Sequence, residues 1–307
     1  MKDKLTVLIP LKGREHCTTR ILDQLSKDKC PFSVVLADGG GSDLSDKWGY
    51  PSLNLEYYYF GEDITVNTFM KKMHTATSFV KTPYIMFADN DDLICIDGVL
   101  KALEFLDNNP EYVSFRGALT EQKDGHNFHT YPHSIEHSSV YFNVCQDLAA
   151  KDAAWQDITR TEPVRKLYRL LYKSGTEDLM LTFTMDSGFR LLYGYNKKDF
   201  DITTTYHISG EGMVLNRSDW LGYKGWMNYG DIYHSLGLFV SVIANGVNKY
   251  GGRLLEPTRF SFAEYLLNDI YDVAINKGVC INTIKEEAIK SAISKSRDFD
   301  TMVRSVI

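Results

Sequence analysis

The chain has 307 residues, a net charge of −6 and a hydrophobic fraction of 44%. Its 19 tyrosines, 16 phenylalanines and 4 tryptophans can supply a core for one large domain or two modest ones, which excludes a chain that is disordered throughout. The mild acidity argues against a protein that coats nucleic acid, so we expect no nucleic-acid partner.

In residues 1–117, apolar runs of strand length alternate with segments of helical spacing. The predicted strands are Leu5–Pro10, Ser33–Ala37, Leu55–Phe60 and Tyr84–Ala88. The predicted helices are Glu15–Leu25, Phe69–Val80 and Val99–Leu106. Continuous apolar strands that alternate with helices are typical of a parallel sheet covered on both faces. This part of the chain therefore predicts a doubly wound α/β unit.

The remaining residues predict a more mixed structure. A loop-like stretch rich in Gly, Pro and His follows residue 120, and a basic helix is predicted at Pro163–Lys173. Strand and turn patterns resume at Tyr206–Leu215. Further helices are predicted at Asp231–Asn245, Phe262–Asn276 and Thr283–Val306.

The cysteines and the apolar segments indicate the cellular compartment of the protein. The 5 cysteines are scattered without a CxxC pair, which favours reduced thiols. The first apolar run is broken by Pro10, which predicts a strand rather than a signal peptide. The stretch near Leu236–Val247 is too short to span a bilayer. We therefore expect a cytoplasmic protein, with peripheral contact at the inner face of a membrane as an alternative.

The strongest candidate site is Phe87–Asp92, where an apolar strand ends in acidic residues. Asp89 and Asp91 are two positions apart, so in an extended chain their carboxylates project to the same side. Such a pair at the carboxyl end of a parallel strand suits Mg²⁺ or Mn²⁺ together with a phosphate. An Asp-rich turn that caps the next helix explains the same residues equally well.

A second candidate is Val34–Asp43, where a buried strand ends in Asp38 and three glycines. Glycines let the backbone approach a ligand, and Asp38 can accept a hydrogen bond from a base or a ribose. Taken alone, an ordinary strand-to-loop turn explains this pattern better. The chain has neither a GxGxxG motif that opens a helix nor the GxxxxGK[ST] motif of a P-loop.

Together and in this order, these motifs resemble those of the GT-A glycosyltransferases of family 2. Ile9–Arg14, Ala37–Asp43 and Tyr84–Asp92 resemble three of the family's motifs. Gly230–Tyr233 and Leu254–Pro257 resemble its later Glu-Asp pair and the strand end after it. The resemblance implies an α/β, GT-A (nucleotide-diphospho-sugar transferase) fold, with a mostly parallel central sheet flanked by helices and a C-terminal helical extension.

The resemblance also implies a division of the chain and a role for each matched residue. Residues 1–117 would bind the nucleotide-sugar, residues 118–260 would hold the acceptor and the base, and residues 261–307 would be C-terminal helices. Asp231 would be the catalytic base, and Asp91 with Asp89 would bind the metal, Mn²⁺ or Mg²⁺. The implied nucleotide-sugar site comprises Pro10, Leu11, Lys12, Arg14, Asp38, Gly39, Lys72, Asp89 and Asn90.

The implied reaction transfers a sugar from a nucleotide-sugar, with a UDP-sugar favoured, to a hydroxyl of a glycan or another acceptor, with inversion. Lys12 stands where the family has a tyrosine, and Gly39 stands where it has an aspartate. These departures keep open an inactive relative that binds nucleotide or glycan. A nucleotidyltransferase is a further alternative, although Lys12–Arg14 is a poor version of its basic glycine-rich loop.

Three weaker features allow other roles. Four histidines lie close together, but a polar surface loop is favoured over a zinc site; they are His126, His129, His133 and His137. The basic stretch Arg160–Lys173 would suit a membrane or an anionic acceptor, although a solvated helix face is commoner. The last predicted helix could form a homodimer or dock on its own domain.

We also expect residues 120–205 to build the acceptor side, because they resemble the family least.

Overall fold

The structure is a computed structural model that describes residues 3–127, 133–150, 154–177, 179–208, 232–250, 256, 259–264 and 285–307. The strands are β1 (Leu5–Leu11), β2 (Ser33–Asp38), β3 (Asn54–Tyr59), β4 (Tyr84–Phe87), β5 (Asp92–Ile94), β6 (Tyr112–Glu121), β7 (Ile158–Arg160) and β8 (Tyr195–His207). The helices are α1 (Glu15–Lys27), α2 (Val66–Phe79), α3 (Ile96–Asn108), α4 (Val140–Ala150), α5 (Thr161–Ser174), α6 (Leu179–Arg190), α7 (Ile232–Tyr250) and α8 (Lys285–Arg304).

Within the described residues, the strands form one 8-stranded sheet in the order β3-β2-β1-β4-β7-β6-β8-β5. β1 pairs in parallel with β2 and β4, and β2 pairs in parallel with β3. β7 is antiparallel to both β4 and β6, β6 is parallel to β8, and β5 is antiparallel to β8. The predicted α/β architecture, a mostly parallel sheet flanked by helices, is therefore confirmed. The boundary that we predicted between residues 117 and 118 lies within β6.

The two faces of the sheet are covered by separate cores. Val7 and Ile9 on β1 belong to the core beneath α1 and α3, whereas Leu8 belongs to the core beneath α2 and α5. A strand buried on both faces needs apolar side chains at successive positions. This requirement explains the continuous apolar run that predicted β1.

The strand predicted at Tyr206–Leu215 begins much earlier in the structure, because β8 runs over Tyr195–His207. Residues 209–215 lie outside the described residues. The sequence of β8 hides the strand because its inward positions are polar. Asn196 and Lys198 are only 3% exposed, so their burial depends on hydrogen bonds and nearby charges rather than on apolar contacts.

The C-terminal helix α8 docks on its own domain by packing against α7. Phe299 and Val303 of α8 share a core with Phe239 and Ile243 of α7. Helix α5 likewise buries its apolar side, including Leu167. None of the helices in the described part of the chain is both long and apolar enough to cross a membrane.

The histidine-rich stretch is a surface loop where the structure describes it. His126, His133 and His137 are exposed, and His129 lies outside the described residues. His137 Nδ1 accepts a hydrogen bond from the backbone N–H of Ser139 at 3.0 Å. These contacts fit the interpretation as a polar loop.

Candidate nucleotide-sugar site

Most of the predicted site residues lie at or just after the carboxyl ends of β1, β2 and β4, and β1 pairs in parallel with both of the other strands. After β1, Gly13 and Arg14 both adopt left-handed backbone conformations, with φ of 70° and 53°. Glycine accepts this conformation without strain, and the turn lets α1 begin at once at Glu15. The tight turn therefore holds Arg14 above the end of the sheet, next to the acidic loop after β4.

Asp91 is held by arginines from α1 and the turn before it. Arg14 Nη1 lies 2.5 Å from Asp91 Oδ2, and Arg20 Nη2 donates to the carbonyl oxygen of Asp91 at 3.1 Å. Asn90 is buried and donates to Thr18 Oγ1 at 3.0 Å. The loop after β1 and the loop after β4 are thus locked together, and this contact joins three predicted site residues.

Asp89 is half-buried and receives hydrogen bonds from a distant part of the chain. Trp155 Nε1 donates to Asp89 Oδ1 at 3.1 Å, and Gln156 Nε2 donates to Asp89 Oδ2 at 3.4 Å. Burial, followed by the neighbouring carboxylates of Asp92 and Asp91, raises the pKa of Asp89 to about 7. A positive charge brought to this site would stabilise the ionised form.

Asp92 begins β5 and pairs in register with His207 at the end of β8. His207 Nδ1 lies 2.9 Å from Asp92 Oδ1. Burial raises the pKa of Asp92 to about 6, against the opposing hydrogen bond from His207. His207 therefore contacts the acidic loop from β8, and no local motif in the sequence indicates this contact.

Asp38, at the end of β2, lines a small cleft of about 60 Å³ together with Leu11, Gly40 and Trp48. Its Oδ1 accepts the backbone N–H of Gly40 at 2.8 Å, and its Oδ2 accepts the hydroxyl of Tyr57 at 2.9 Å. Both carboxylate oxygens therefore have a fixed direction. Each oxygen keeps lone pairs with which it can accept a further hydrogen bond from a ligand.

Lys72 lies directly beneath the turn at Gly39 and is 2% exposed. Its ammonium group forms an ion pair of 2.5 Å with Asp63 and donates to the carbonyl oxygen of Leu11 at 3.1 Å. Burial lowers the pKa of Lys72, and the Asp63 carboxylate opposes this shift. The side chain of Lys12 donates to the backbone carbonyl of Asp63. Both lysines therefore brace the floor of the site.

We expect Gly39→Ala to lower the free energy of unfolding by about 1–3 kcal/mol, because the added methyl group overfills a fixed space. A Cβ at Gly39 would lie 2.0 Å from Asp63 Oδ2 and 2.9 Å from Lys72 Nζ. The matched control is Gly41→Ala, since a Cβ there has nothing within 4 Å. Urea denaturation of both variants measures the difference, and equal midpoints would contradict the described packing.

The structure brings Arg14, Asp38, Asp89, Asn90 and Asp91 to one edge of the sheet. Beneath them lie Leu11, Lys12, Gly39 and Lys72, which build the floor and wall of the site. Pro10 precedes Leu11 in β1. The predicted base Asp231 lies outside the described residues. Sequence reasoning missed contacts made by Tyr57, Asp63, Trp155, Gln156 and His207.

The acidic loop offers the donor atoms that Mg²⁺ and Mn²⁺ prefer, because carboxylate oxygens are hard ligands. Asp89, Asp91 and Asp92 lie close enough for Asp91 and Asp92 to raise the pKa of Asp89. Among the described residues, however, no group of three or more His, Cys, Asp or Glu side chains is arranged to hold a metal. A cation at Asp89 and Asp91 would therefore need further ligands from outside this loop, and Arg14 already pairs with one oxygen of Asp91.

Comparisons with known proteins identify the fold. No protein-family model matches the chain, and no curated protein matches it in sequence. In structure it is similar to S. aureus TarS 1–349, with a TM-score of 0.57 and 17% identity over 98% of this chain and 90% of that one. It is also similar to TarS 1–349 in complex with UDP-GlcNAc, with a TM-score of 0.52 and 16% identity over 98% and 92%.

A longer TarS chain gives the same likeness, with a TM-score of 0.57 and 15% identity. The match covers 98% of this chain but only 55% of that one. At such low identities the similarity concerns the fold alone. The chain has the GT-A fold.

Proposed function

We propose that this protein is a glycosyltransferase that moves a sugar from a nucleotide-sugar to a hydroxyl of a glycan or another acceptor. The observation that carries the proposal is the cluster of Arg14, Asp38, Asp89 and Asp91 at the carboxyl ends of β1, β2 and β4. Ligands of open α/β sheets bind at this edge. The TarS structures with UDP-GlcNAc and with UDP support a UDP-sugar as the donor.

In this proposal each residue has a distinct task. Asp38 accepts a hydrogen bond from the base, while Asp89 faces the ribose. Arg14 binds the diphosphate and stabilises the negative charge that builds up as the nucleotide leaves. A divalent cation held by Asp91 and Asp89 supplies further charge neutralisation when it is bound. Asp231 takes the proton of the acceptor hydroxyl, and the attack from the opposite side of the sugar inverts the anomeric centre.

A thermal-shift screen of nucleotide-sugars with and without Mn²⁺ tests the proposal. A ligand that binds only the native state raises the free energy of unfolding by about 2.7 kcal/mol at a hundred times its dissociation constant. We expect a UDP-sugar to give the largest shift and Mn²⁺ to increase it. If no nucleotide or nucleotide-sugar shifts the melting temperature, the proposed function is wrong.

We expect Asp91→Asn to remove the Mn²⁺ dependence of donor binding while the protein remains folded. The loss of a carboxylate ligand should weaken metal-assisted binding at least as much as the roughly 10–100-fold that loss of an outer-shell partner costs a metal site. Isothermal titration in Mn²⁺ and in EDTA measures the ratio of the two affinities. Asp46→Asn, which removes an exposed charge from the turn Ser45–Lys47, is the control. An unchanged ratio in Asp91→Asn would remove Asp91 from the metal site.

One observation favours a second candidate, a relative that binds nucleotide without turnover. Asp91 is already paired with Arg14, and Asp89 with Trp155 and Gln156, so the acidic loop is held without a cation. Hydrolysis of the best donor in the presence of Mn²⁺ separates the candidates. Binding without hydrolysis or transfer would favour the second one.

A further inference from the structure

The segment 154–157, which joins the region after α4 to β7, reaches the acidic loop from the other half of the sheet. Two consecutive side chains of this segment, Trp155 and Gln156, donate to different oxygens of Asp89, at 3.1 Å and 3.4 Å. All three side chains are half-buried. Each donor is directed at a different oxygen of Asp89, and Gln156 also hydrogen-bonds to the neighbouring Asp92. Together the two donors limit the rotation of the Asp89 carboxylate.

The indole ring that makes one of these bonds is itself held by β4. Trp155 stacks on Phe87 with ring centroids 4.8 Å apart and an interplanar angle of 23°. Phe87 is the last residue of β4 and lies two positions before Asp89. The same strand end therefore supplies the carboxylate and the ring on which its donor rests.

The backbone on either side of these two residues is anchored by buried arginines. Arg190 Nη1 donates to the carbonyl oxygen of Ala154 at 2.9 Å. Arg116 binds both oxygens of Asp157, at 2.7 Å and 3.2 Å. Both arginines are 2% exposed, so these anchors are shielded from water. The segment is consequently fixed at both ends while Trp155 and Gln156 face Asp89.

We propose that Trp155 and Gln156 are positioning residues that hold the Asp89 carboxylate in the orientation in which it binds the nucleotide part of the donor. The proposal rests on the proposed function for the identity of the ligand. It assigns a donor-site role to residues of the half that we expected to serve the acceptor. A buried core contact between Trp155 and Phe87 with no effect on binding is the competing explanation.

The first experiment needs no ligand. The indole N–H signals of the 4 tryptophans are recorded by ¹H–¹⁵N NMR, and Trp155→Phe assigns one of them. We expect Asp89→Asn to shift the Trp155 signal more than the signals of Trp48, Trp220 and Trp226, because the indole N–H exchanges a charged carboxylate acceptor for a neutral amide oxygen. An equal or smaller shift at Trp155 would overturn the positioning role, whatever the protein binds.

The second experiment is a double-mutant cycle on the affinity for UDP with Mn²⁺. Trp155→Phe keeps an aromatic ring on Phe87 and removes the N–H donor together with the five-membered ring that carries it. We expect it to weaken UDP binding about tenfold in the wild-type background and less than about twofold in Asp89→Asn, since the bond acts through that carboxylate. Gln156→Met, which removes the other donor, should show a weaker dependence on Asp89, because Gln156 also hydrogen-bonds to Asp92.

Melting temperatures of all variants separate positioning from structural damage, because a packing role would lower them equally in both backgrounds. Equal losses of UDP affinity in both backgrounds would overturn the proposal. If wild-type protein binds neither UDP nor any nucleotide-sugar, the proposed function fails and so does the donor-binding role of Trp155 and Gln156. The NMR experiment still decides, in that case, whether Trp155 is hydrogen-bonded to Asp89.

Discussion

Asp231→Asn is expected to lower turnover by about 10²–10⁴ while donor affinity stays nearly unchanged, because a general base contributes this much to proton transfer. Helix α7 begins at Ile232, directly after Asp231 in the sequence. Asp231 itself lies outside the described residues, so its role stays a proposal that rests on the resemblance of Gly230–Tyr233 to the family's motif. Transfer rates at saturating donor and a separate titration of the donor measure the two quantities.

The alternative is that Asp231 is only a negative charge near a helix N-terminus, which stabilises a helix by about 0.3–1 kcal/mol. Asp97 provides the matched control, because it is an exposed aspartate in the first turn of α3. Asp97→Asn should lower stability slightly and leave turnover unchanged. If Asp231→Asn behaves in the same way, the base lies elsewhere, and Glu211 and Asp219 are the next candidates.

The N-terminal half of the fold was predictable because three of its strands, β1, β2 and β4, are buried mostly by apolar side chains. β1, β2 and β4 are continuous apolar runs, and each strand and helix predicted in residues 1–117 is present with ends shifted by only a few residues. Their order along the chain then places the carboxyl ends of three strands together. Arg14 was named from the family resemblance and Asp91 from the acidic end of its strand, and this order of strands explains why the two side chains meet.

The second half was much less predictable because its core contains charges. Arg116 on β6, Asp157 before β7 and Lys198 on β8 are all at most 3% exposed. A hydrophobicity pattern predicts that such residues are exposed, because the partner that allows a charge to be buried is not in the local sequence. β6 and β7 were therefore missed, and β8 was predicted to start too late.

The same limit applies to the site. Trp155 and Asp89 are separated by 66 positions in sequence, and His207 and Asp92 by 115. No periodicity or local motif connects residues so far apart. The resemblance gave the residues that would contact a ligand, whereas the side chains that hold those residues in place emerged only from the three-dimensional arrangement.

Arg190→Met is expected to lower the free energy of unfolding by about 3–5 kcal/mol, because it leaves a buried carboxylate without its partner. Arg190 binds both oxygens of Asp186, at 2.8 Å and 2.5 Å, and both residues are 2% exposed. Burial raises the pKa of Asp186, and Arg190 opposes this shift. Without Arg190 the pKa of Asp186 should rise further. The loss of free energy of unfolding relative to wild type should therefore become smaller as the pH falls from neutral, because a protonated Asp186 costs less to bury.

The exposed pair Glu286 and Lys290 on α8 is the matched control, since it has the same spacing of four residues as Asp186 and Arg190. Lys290→Met should leave the urea midpoint essentially unchanged, because water screens this pair. The double variant Asp186→Leu with Arg190→Met should recover part of the loss, since no buried charge is left unpaired. Recovery should be incomplete, because Arg190 also donates to Ala154 and to Thr159 Oγ1 at 2.6 Å. If Arg190→Met lowers the free energy of unfolding no more than Lys290→Met does, the buried pair of Arg190 and Asp186 contributes little to stability.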